Sequence, residues 1–189
     1  MRFRLALLVV AALCSPAFGQ PTPPVLAPSP QPLQKDDAFG VEITLPGQQI
    51  IYFRGRGKWD SVQESLVDAF ASLNQFMESK AIKPSGPPMT VFTQTSDIGF
   101  DFLAALPISA TPPDPPKGDI AIGTAPAGRA LKFTHRGSYD AMDTTYEAIT
   151  NYLDQKNLDA KDMFVEEYSG GPLKKGDDPL VITVYVPLK

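Results

Sequence analysis

The chain has 189 residues, of which 43% are hydrophobic, and a formal net charge of −4 at pH 7. Because proteins bind nucleic acids largely through cationic contacts with phosphates, this acidic balance argues against a nucleic-acid partner. The chain has one histidine and one cysteine, which excludes multi-histidine metal sites and any disulfide within the chain. We therefore predict a protein with no metal and no cofactor.

The first 19 residues predict a secretory signal peptide. Arg2 and Arg4 give a basic start, Leu5–Leu13 is an apolar stretch too short to span a membrane, and Ala17-Phe18-Gly19 offers small residues for cleavage. Cleavage there removes the two arginines, which changes the net charge from −4 to −6, and also removes the single cysteine. We expect an exported protein, periplasmic or secreted, with no membrane span after cleavage.

A proline-rich segment follows at residues 20–37, beginning with the run PTPPVLAPSPQP after Gln20. Such a segment cannot pack a core and is typical of an extended tether. The remaining residues, 38–189, are enough for one folded domain with a sizeable core.

Hydrophobic periodicity predicts the same order of elements twice along this domain. The first half has strands at Val41–Leu45 and Gln49–Arg54, a helix with an apolar stripe from Val62 to Met77, and strands at Met89–Gln94 and Phe100–Leu106. The second half has strands at Ile120–Ile122 and Arg129–His135, a helix at Asp140–Lys156, and strands at Asp162–Tyr168 and Leu180–Pro187. Ser61 and Glu64 have the spacing of a capping box, and Asn157 is a candidate left-handed helix end.

An internal repeat relates the two halves at an offset of 80 residues. Aligned pairs run from before the first strand to the end of the last one: Thr44 with Thr124, Phe53 with Phe133, Gly57 with Gly137, Trp59 with Tyr139, Asp60 with Asp140, and Pro107 with Pro187. We interpret this as a duplicated module, with repeats at about 39–108 and 118–188. The predicted fold is α+β, in which duplicated strand-helix-strand-strand modules form an antiparallel sheet with two long helices on one face.

The second half carries a resemblance to a known family. The run LKFTHRGSYDAMDTTYEAITNYL, then FVEEY at Phe164–Tyr168 and VITVYVP at Val181–Pro187, resembles the GyrI-like effector-binding family. That family includes the ligand-sensing domains of AraC-type and MerR-type regulators. The resemblance covers about 150 residues and implies a small-molecule binding domain, here in a freestanding form with no helix-turn-helix.

Alternation of side chains along the last two strands predicts a ligand groove. If the aliphatic side chains lie under the helices, then Phe164, Glu166, Tyr168, Thr183 and Tyr185 face away from the helices, toward the groove between the repeats. The repeat register adds Phe92, Gln94, Leu103 and Ala105 from the first half, and Trp59 is a further candidate ligand contact. An acid among aromatic rings is suited to an apolar organic cation.

The resemblance implies that Glu166 corresponds to the acid that contacts ligands in drug-binding members of the family. Many members have a second acid in the last strand, where this chain has Thr183. The groove is therefore expected to be less anionic than in those members, and its preference for cations is open.

Two alternatives remain at the level of sequence. Glu166 beside Tyr168 could act as a base toward water, as is thought for hydrolases related to this family. The duplicated architecture also resembles that of SOUL-type haem-binding proteins, and His135 is the single histidine that could ligate a haem iron. The simpler interpretation of His135 is a hydrogen bond that fixes the turn before Gly137.

Overall fold

The structure is a computed structural model that describes residues 39–174 and 179–189. The predicted signal peptide, the whole proline-rich segment and part of the turn before the last strand lie outside the described residues. These expectations therefore stay predictions.

Eight antiparallel strands form one open sheet, and the predicted α+β fold class is confirmed. The strands are β1 (Val41–Pro46), β2 (Gln49–Gly57), β3 (Met89–Thr95), β4 (Phe100–Pro107), β5 (Ile120–Thr124), β6 (Ala127–Gly137), β7 (Phe164–Tyr168) and β8 (Leu180–Pro187). Their order across the sheet is β1-β6-β8-β7-β3-β4-β2-β5. The counterparts in the two halves are β1 and β5, β2 and β6, β3 and β7, and β4 and β8. When each strand is replaced by its counterpart, the same order results, read from the opposite edge.

The leading strand of each half pairs with the other half. β1 pairs with β6, and β5 pairs with β2, so two short connections cross each other at one end of the sheet. At the crossing, Gly47 has a φ of +66° and leaves no room for a side chain, because a Cβ there would lie 2.8 Å from the Cβ of Ala127. Gly47 thus meets both a backbone requirement and a packing requirement.

Two helices, α1 (Val62–Ser79) and α2 (Met142–Lys156), pack on the same face of the sheet. Leu66 and Phe70 of α1 and Ile149 of α2 share one core with sheet residues such as Phe133 and Val184. Each helix is preceded by a short 3-10 helix, Trp59–Ser61 before α1 and Tyr139–Ala141 before α2. Neither helix of the described chain has the length and apolar character that crossing a membrane requires.

The ends of the helices show where local sequence signals succeed and fail. Ser61 makes no side-chain capping bond, so the predicted capping box does not form, because the preceding 3-10 helix already carries the chain into α1. Asn157 has φ 51° and ψ 49° and ends α2 in the left-handed conformation, as predicted.

Candidate ligand-binding site

Strand β7 places its alternate side chains on opposite faces of the sheet, and the predicted assignment of these faces is wrong. Glu166 and Tyr168 point toward the helices: Glu166 contacts Tyr146 of α2, and the Tyr168 ring packs edge-on against Phe70 of α1. Aliphatic character did not identify the helix side, because Val165 on the other face is also buried, at 3% exposure. Both faces of this sheet are therefore apolar.

Three tyrosine hydroxyls surround the Glu166 carboxylate. Tyr139 and Tyr168 donate to Oε2 at 2.9 and 2.8 Å, and Tyr146 donates to Oε1 at 2.6 Å. The Tyr168 oxygen also lies 2.8 Å from the Thr90 hydroxyl, which must donate, because the single proton of Tyr168 is used on Glu166. Tyr146 lies within the predicted second helix and Tyr139 directly precedes α2. The signal that sequence reasoning could have used is that a buried tyrosine needs a partner for its hydroxyl.

Burial dominates the electrostatics of this cluster. Glu166 is 1% exposed, and its burial raises the pKa of the carboxyl although the hydrogen bonds from Tyr146, Tyr168 and Tyr139 lower it. Burial and the neighbouring Glu166 charge also raise the pKa values of the three tyrosines well above their usual range, so the hydroxyls stay protonated. The ion pairs of the described chain lie elsewhere, so Glu166 has only neutral partners.

A cavity of about 590 Å³ opens beside Glu166. Its lining includes three acids and neither lysine nor arginine: Trp59, Val62, Thr95, Tyr139, Asp140, Met142, Asp143, Tyr146, Phe164 and Glu166. Asp140 and Asp143 are exposed, whereas Glu166 lies deep. A larger depression of about 830 Å³ lies next to this cavity and shares Thr95, but its lining is mostly polar and contains the Arg56–Asp101 ion pair. The smaller cavity is the better candidate for an apolar ligand.

Aromatic rings form one wall of the cavity. Phe164 lies 4.8 Å from the ring of Tyr146 and stacks on Phe92 at 4.5 Å between ring centroids. Trp59 is 37% exposed, donates its indole N–H to the carbonyl of Ser96 at 2.7 Å, and lies against Phe100. The face of a ring attracts positive charge, so this wall adds to the attraction of the carboxylate for a cation.

The GyrI-like small molecule binding domain family matches residues 41–189. The protein belongs to the GyrI-like family. No protein of curated function matches the chain in sequence.

Solved structures with this fold include proteins of several kinds. EcmrR in complex with DNA has a TM-score of 0.65 and 13% identity over 79% of this chain, which spans only 57% of the EcmrR chain. SAV2435 bound to tetraphenylphosphonium has a TM-score of 0.56 and 12% identity, covering 79% of this chain and 93% of that one. A hydrolase from Listeria innocua has a TM-score of 0.54 and 14% identity, covering 80% of this chain and 92% of that one. At these identities the likeness shows the fold alone.

The two repeats of the GyrI-like domain differ at the site. The 80-residue offset places Leu66 on Tyr146 and Trp59 on Tyr139, while Thr90 is the direct partner of Glu166 across the seam between β3 and β7. The first repeat therefore lacks both the carboxylate and the tyrosine that binds it most closely. The acids of the cavity come from the second repeat, whereas Trp59, Val62 and Thr95 of the first repeat complete its lining.

Four of the predicted groove residues lie on the opposite face of the sheet. Tyr185 is paired with Val165, and its hydroxyl donates to Glu167 at 3.2 Å, so it does not reach Glu166. Thr183 is buried on the same face, and Leu103 and Ala105 pack in the apolar cluster there. Their predicted place beside Glu166 is wrong, because β4 and β8 direct these side chains away from the helices. Gln94 follows an irregularity in β3 and lines the larger polar depression.

His135 is held by hydrogen bonds at both ring nitrogens. Nε2 lies 3.0 Å from the carbonyl oxygen of Ser138 and Nδ1 lies 2.7 Å from the Thr145 hydroxyl. Because a carbonyl only accepts, Nε2 carries the proton and Nδ1 accepts from Thr145. This arrangement fixes the turn at Gly137 and leaves no free lone pair for a haem iron. In the described ranges, 39–174 and 179–189, no cluster of three histidine, cysteine or acidic side chains is placed to hold a metal ion.

Proposed function

We propose that this GyrI-like domain is an exported small-molecule binding protein whose ligand is an apolar organic cation seated beside Glu166. The observation that supports this proposal is the Glu166 carboxylate, which is 1% exposed and hydrogen-bonded only to neutral tyrosine hydroxyls at the floor of an aromatic cavity. A buried carboxylate without a cationic partner is costly to ionise. A ligand that brings one positive charge into the cavity supplies that partner.

The hydrogen bonds that Glu166 accepts from the three tyrosines favour a ligand cation without N–H donors of its own. Both oxygens of Glu166 already accept from tyrosines, so a ligand with N–H donors would have to compete with them. A quaternary ammonium or phosphonium with aromatic substituents needs only the charge and the ring faces. Tetraphenylphosphonium, the molecule bound to the structural neighbour SAV2435, has this chemistry and is a suitable probe.

Titration calorimetry with tetraphenylphosphonium tests this proposal. Glu166→Gln keeps the size and polarity of the side chain but removes its charge, and we expect it to weaken binding by roughly 1–3 kcal/mol, the scale of a buried charge-assisted contact. The matched control is Glu147→Gln, which removes the same charge from an exposed position of α2. We expect the control to bind as the wild type does.

The neutral analogue triphenylphosphine oxide provides a second control, because it keeps most of the aromatic surface without the charge. It should bind more weakly than the cation to the wild type and about equally to both glutamine variants. Equal losses for Glu166→Gln and Glu147→Gln would contradict the proposal, because they would show that general electrostatics, and not the buried acid, attracts the cation.

A hydrolase that uses Glu166 as base is the second candidate. The raised pKa of Glu166 favours this role, since a carboxyl whose pKa is nearer neutrality is a better base, and one side of the carboxyl faces the cavity. Loss of ester turnover in Glu166→Gln, with cation binding retained, would favour the hydrolase over the binding protein.

A further inference from the structure

A second cavity lies on the face of the sheet away from the helices. It has a volume of about 430 Å³ and lies beneath the two connections that cross at the end of the sheet. Its lining is largely apolar and comes from both repeats, with Ile43, Leu45 and Met89 from the first and Val165, Glu167 and Tyr185 from the second. It is separated from the first cavity by the thickness of β7, because Glu166 and Glu167 point to opposite faces.

Glu167 is the charged group of this second cavity. Its Oε1 accepts one hydrogen bond, from the Tyr185 hydroxyl at 3.2 Å, and no donor of the described residues contacts its Oε2. Burial raises the pKa of Glu167 although Tyr185 and the charge of Lys132 lower it. Lys132 lies beside Tyr185 on β6, but the two charged groups form no ion pair of the described chain.

The two acids of β7 therefore differ in whether they can accept a further hydrogen bond from a ligand. Glu166 has both oxygens occupied by tyrosine hydroxyls, whereas Glu167 keeps one oxygen available in a half-buried, apolar setting. A free carboxylate oxygen is best matched by a cationic N–H donor, because such a bond adds hydrogen bonding to charge attraction. The apolar lining, with Met89 and Val165 at its base, matches a hydrocarbon body attached to that donor.

We propose that this cavity is a second ligand site, which binds a primary or secondary ammonium carrying an aromatic or alkyl group, with Glu167 as its anchor. The ammonium donates to Oε2 of Glu167, and the hydrocarbon part lies against Met89, Val165 and the crossing connections. This site does not depend on the function proposed for Glu166. The protein then holds two different cations back to back across one strand.

The test uses the whole folded chain and 2-phenylethylammonium as the probe, titrated by calorimetry and by amide NMR shifts. We expect one equivalent to bind, both in the absence of tetraphenylphosphonium and in its saturating presence, with the largest shifts at Val165, Glu167 and Tyr185. Glu167→Gln should weaken this binding about tenfold or more, as loss of a charge-assisted hydrogen bond does. Glu166→Gln and the surface control Glu147→Gln should leave it unchanged.

Thermal melting of each variant without ligand shows that it is folded, and Glu167 is exposed enough to tolerate glutamine. The proposal is overturned if tetraphenylphosphonium displaces the amine, if Glu166→Gln weakens amine binding, or if Glu167→Gln has no effect. If the wild type fails to bind tetraphenylphosphonium but still binds the amine through Glu167, the function proposed for the first cavity fails and this second site stands.

Discussion

Glu166, the residue at the centre of the proposed site, also affects the stability of the fold. Its burial raises the pKa of the carboxyl above the ordinary value of 4.5, while three tyrosine hydroxyls reduce but do not cancel the rise. The folded state therefore binds the Glu166 proton more tightly than the unfolded state does. Stability from this group is fully present below pH 4.5 and is lost as the pH rises through the folded-state pKa.

This sign gives a prediction for Glu166→Gln in the free protein. Glutamine cannot ionise, so the variant avoids the loss of stability that the wild type suffers as the pH rises. We expect the free energy of unfolding of Glu166→Gln to increase relative to that of the wild type between pH 4.5 and neutrality, which means that the variant becomes relatively more stable. Urea unfolding of both proteins across this range measures the difference. A difference that does not change with pH would show that Glu166 titrates normally.

At the scale of elements, the two helices of the repeat have diverged at one decisive position. Tyr146 of α2 faces Glu166, and the repeat register places Leu66 of α1 at the same point of the other half. Leu66 has no hydroxyl to donate, and none is needed, because β3 carries Thr90 and not an acid at the position paired with Glu166. Helix α2 thus supplies a hydroxyl to the buried acid, while α1 contributes only apolar packing and Val62 to the wall of the cavity.

Tyr146→Leu, which copies the residue of the first repeat, tests the role of α2. In the wild type, the 2.6 Å hydrogen bond from Tyr146 to Oε1 lowers the pKa of Glu166. The substitution removes this hydrogen bond, so we expect the pKa of Glu166 to rise further. Since the cation needs the ionised acid, the pH at which tetraphenylphosphonium affinity is half-maximal should move upward. Tyr152→Phe is the matched control, because its hydroxyl donates to the carbonyl of Gly40 and not to Glu166. An unchanged midpoint in Tyr146→Leu would argue against this role.

At the scale of the whole molecule, exchange of the leading strands ties the halves together. β1 of the first repeat forms the edge of the sheet beside β6, and β5 of the second repeat forms the other edge beside β2. The edge strand next to each repeat therefore comes from the other repeat. The crossing connections at Gly47 and Ala127 also cover the second cavity. The fold therefore creates cavities on both faces of one sheet, each lined by a different acid of β7.

Export, which forms part of the proposed function, also belongs to the scale of the whole chain. The arrangement of Arg2, Arg4, Leu5–Leu13 and Ala17-Phe18-Gly19 predicts that the mature protein begins at Gln20. N-terminal sequencing or intact mass of protein recovered from the envelope or the medium measures this directly, with allowance for cyclised Gln20. Envelope protein that retains Met1 would contradict export by cleavage.

The sequence by itself determined the repeated order of elements, the α+β fold class and the choice of Glu166 as the acid of interest. These depend on local periodicity, on an offset of 80 residues and on the motifs of the second half, all of which are properties of the chain alone. Tertiary structure alone decided which face of β7 meets the helices. Alternation fixes that Glu166 and Glu167 point apart, but it cannot assign a side when both faces are buried. Likewise, the tyrosine cluster gathers residues from the 3-10 helix, α2 and β7, and only the packing of α2 onto the sheet brings their hydroxyls to one carboxylate.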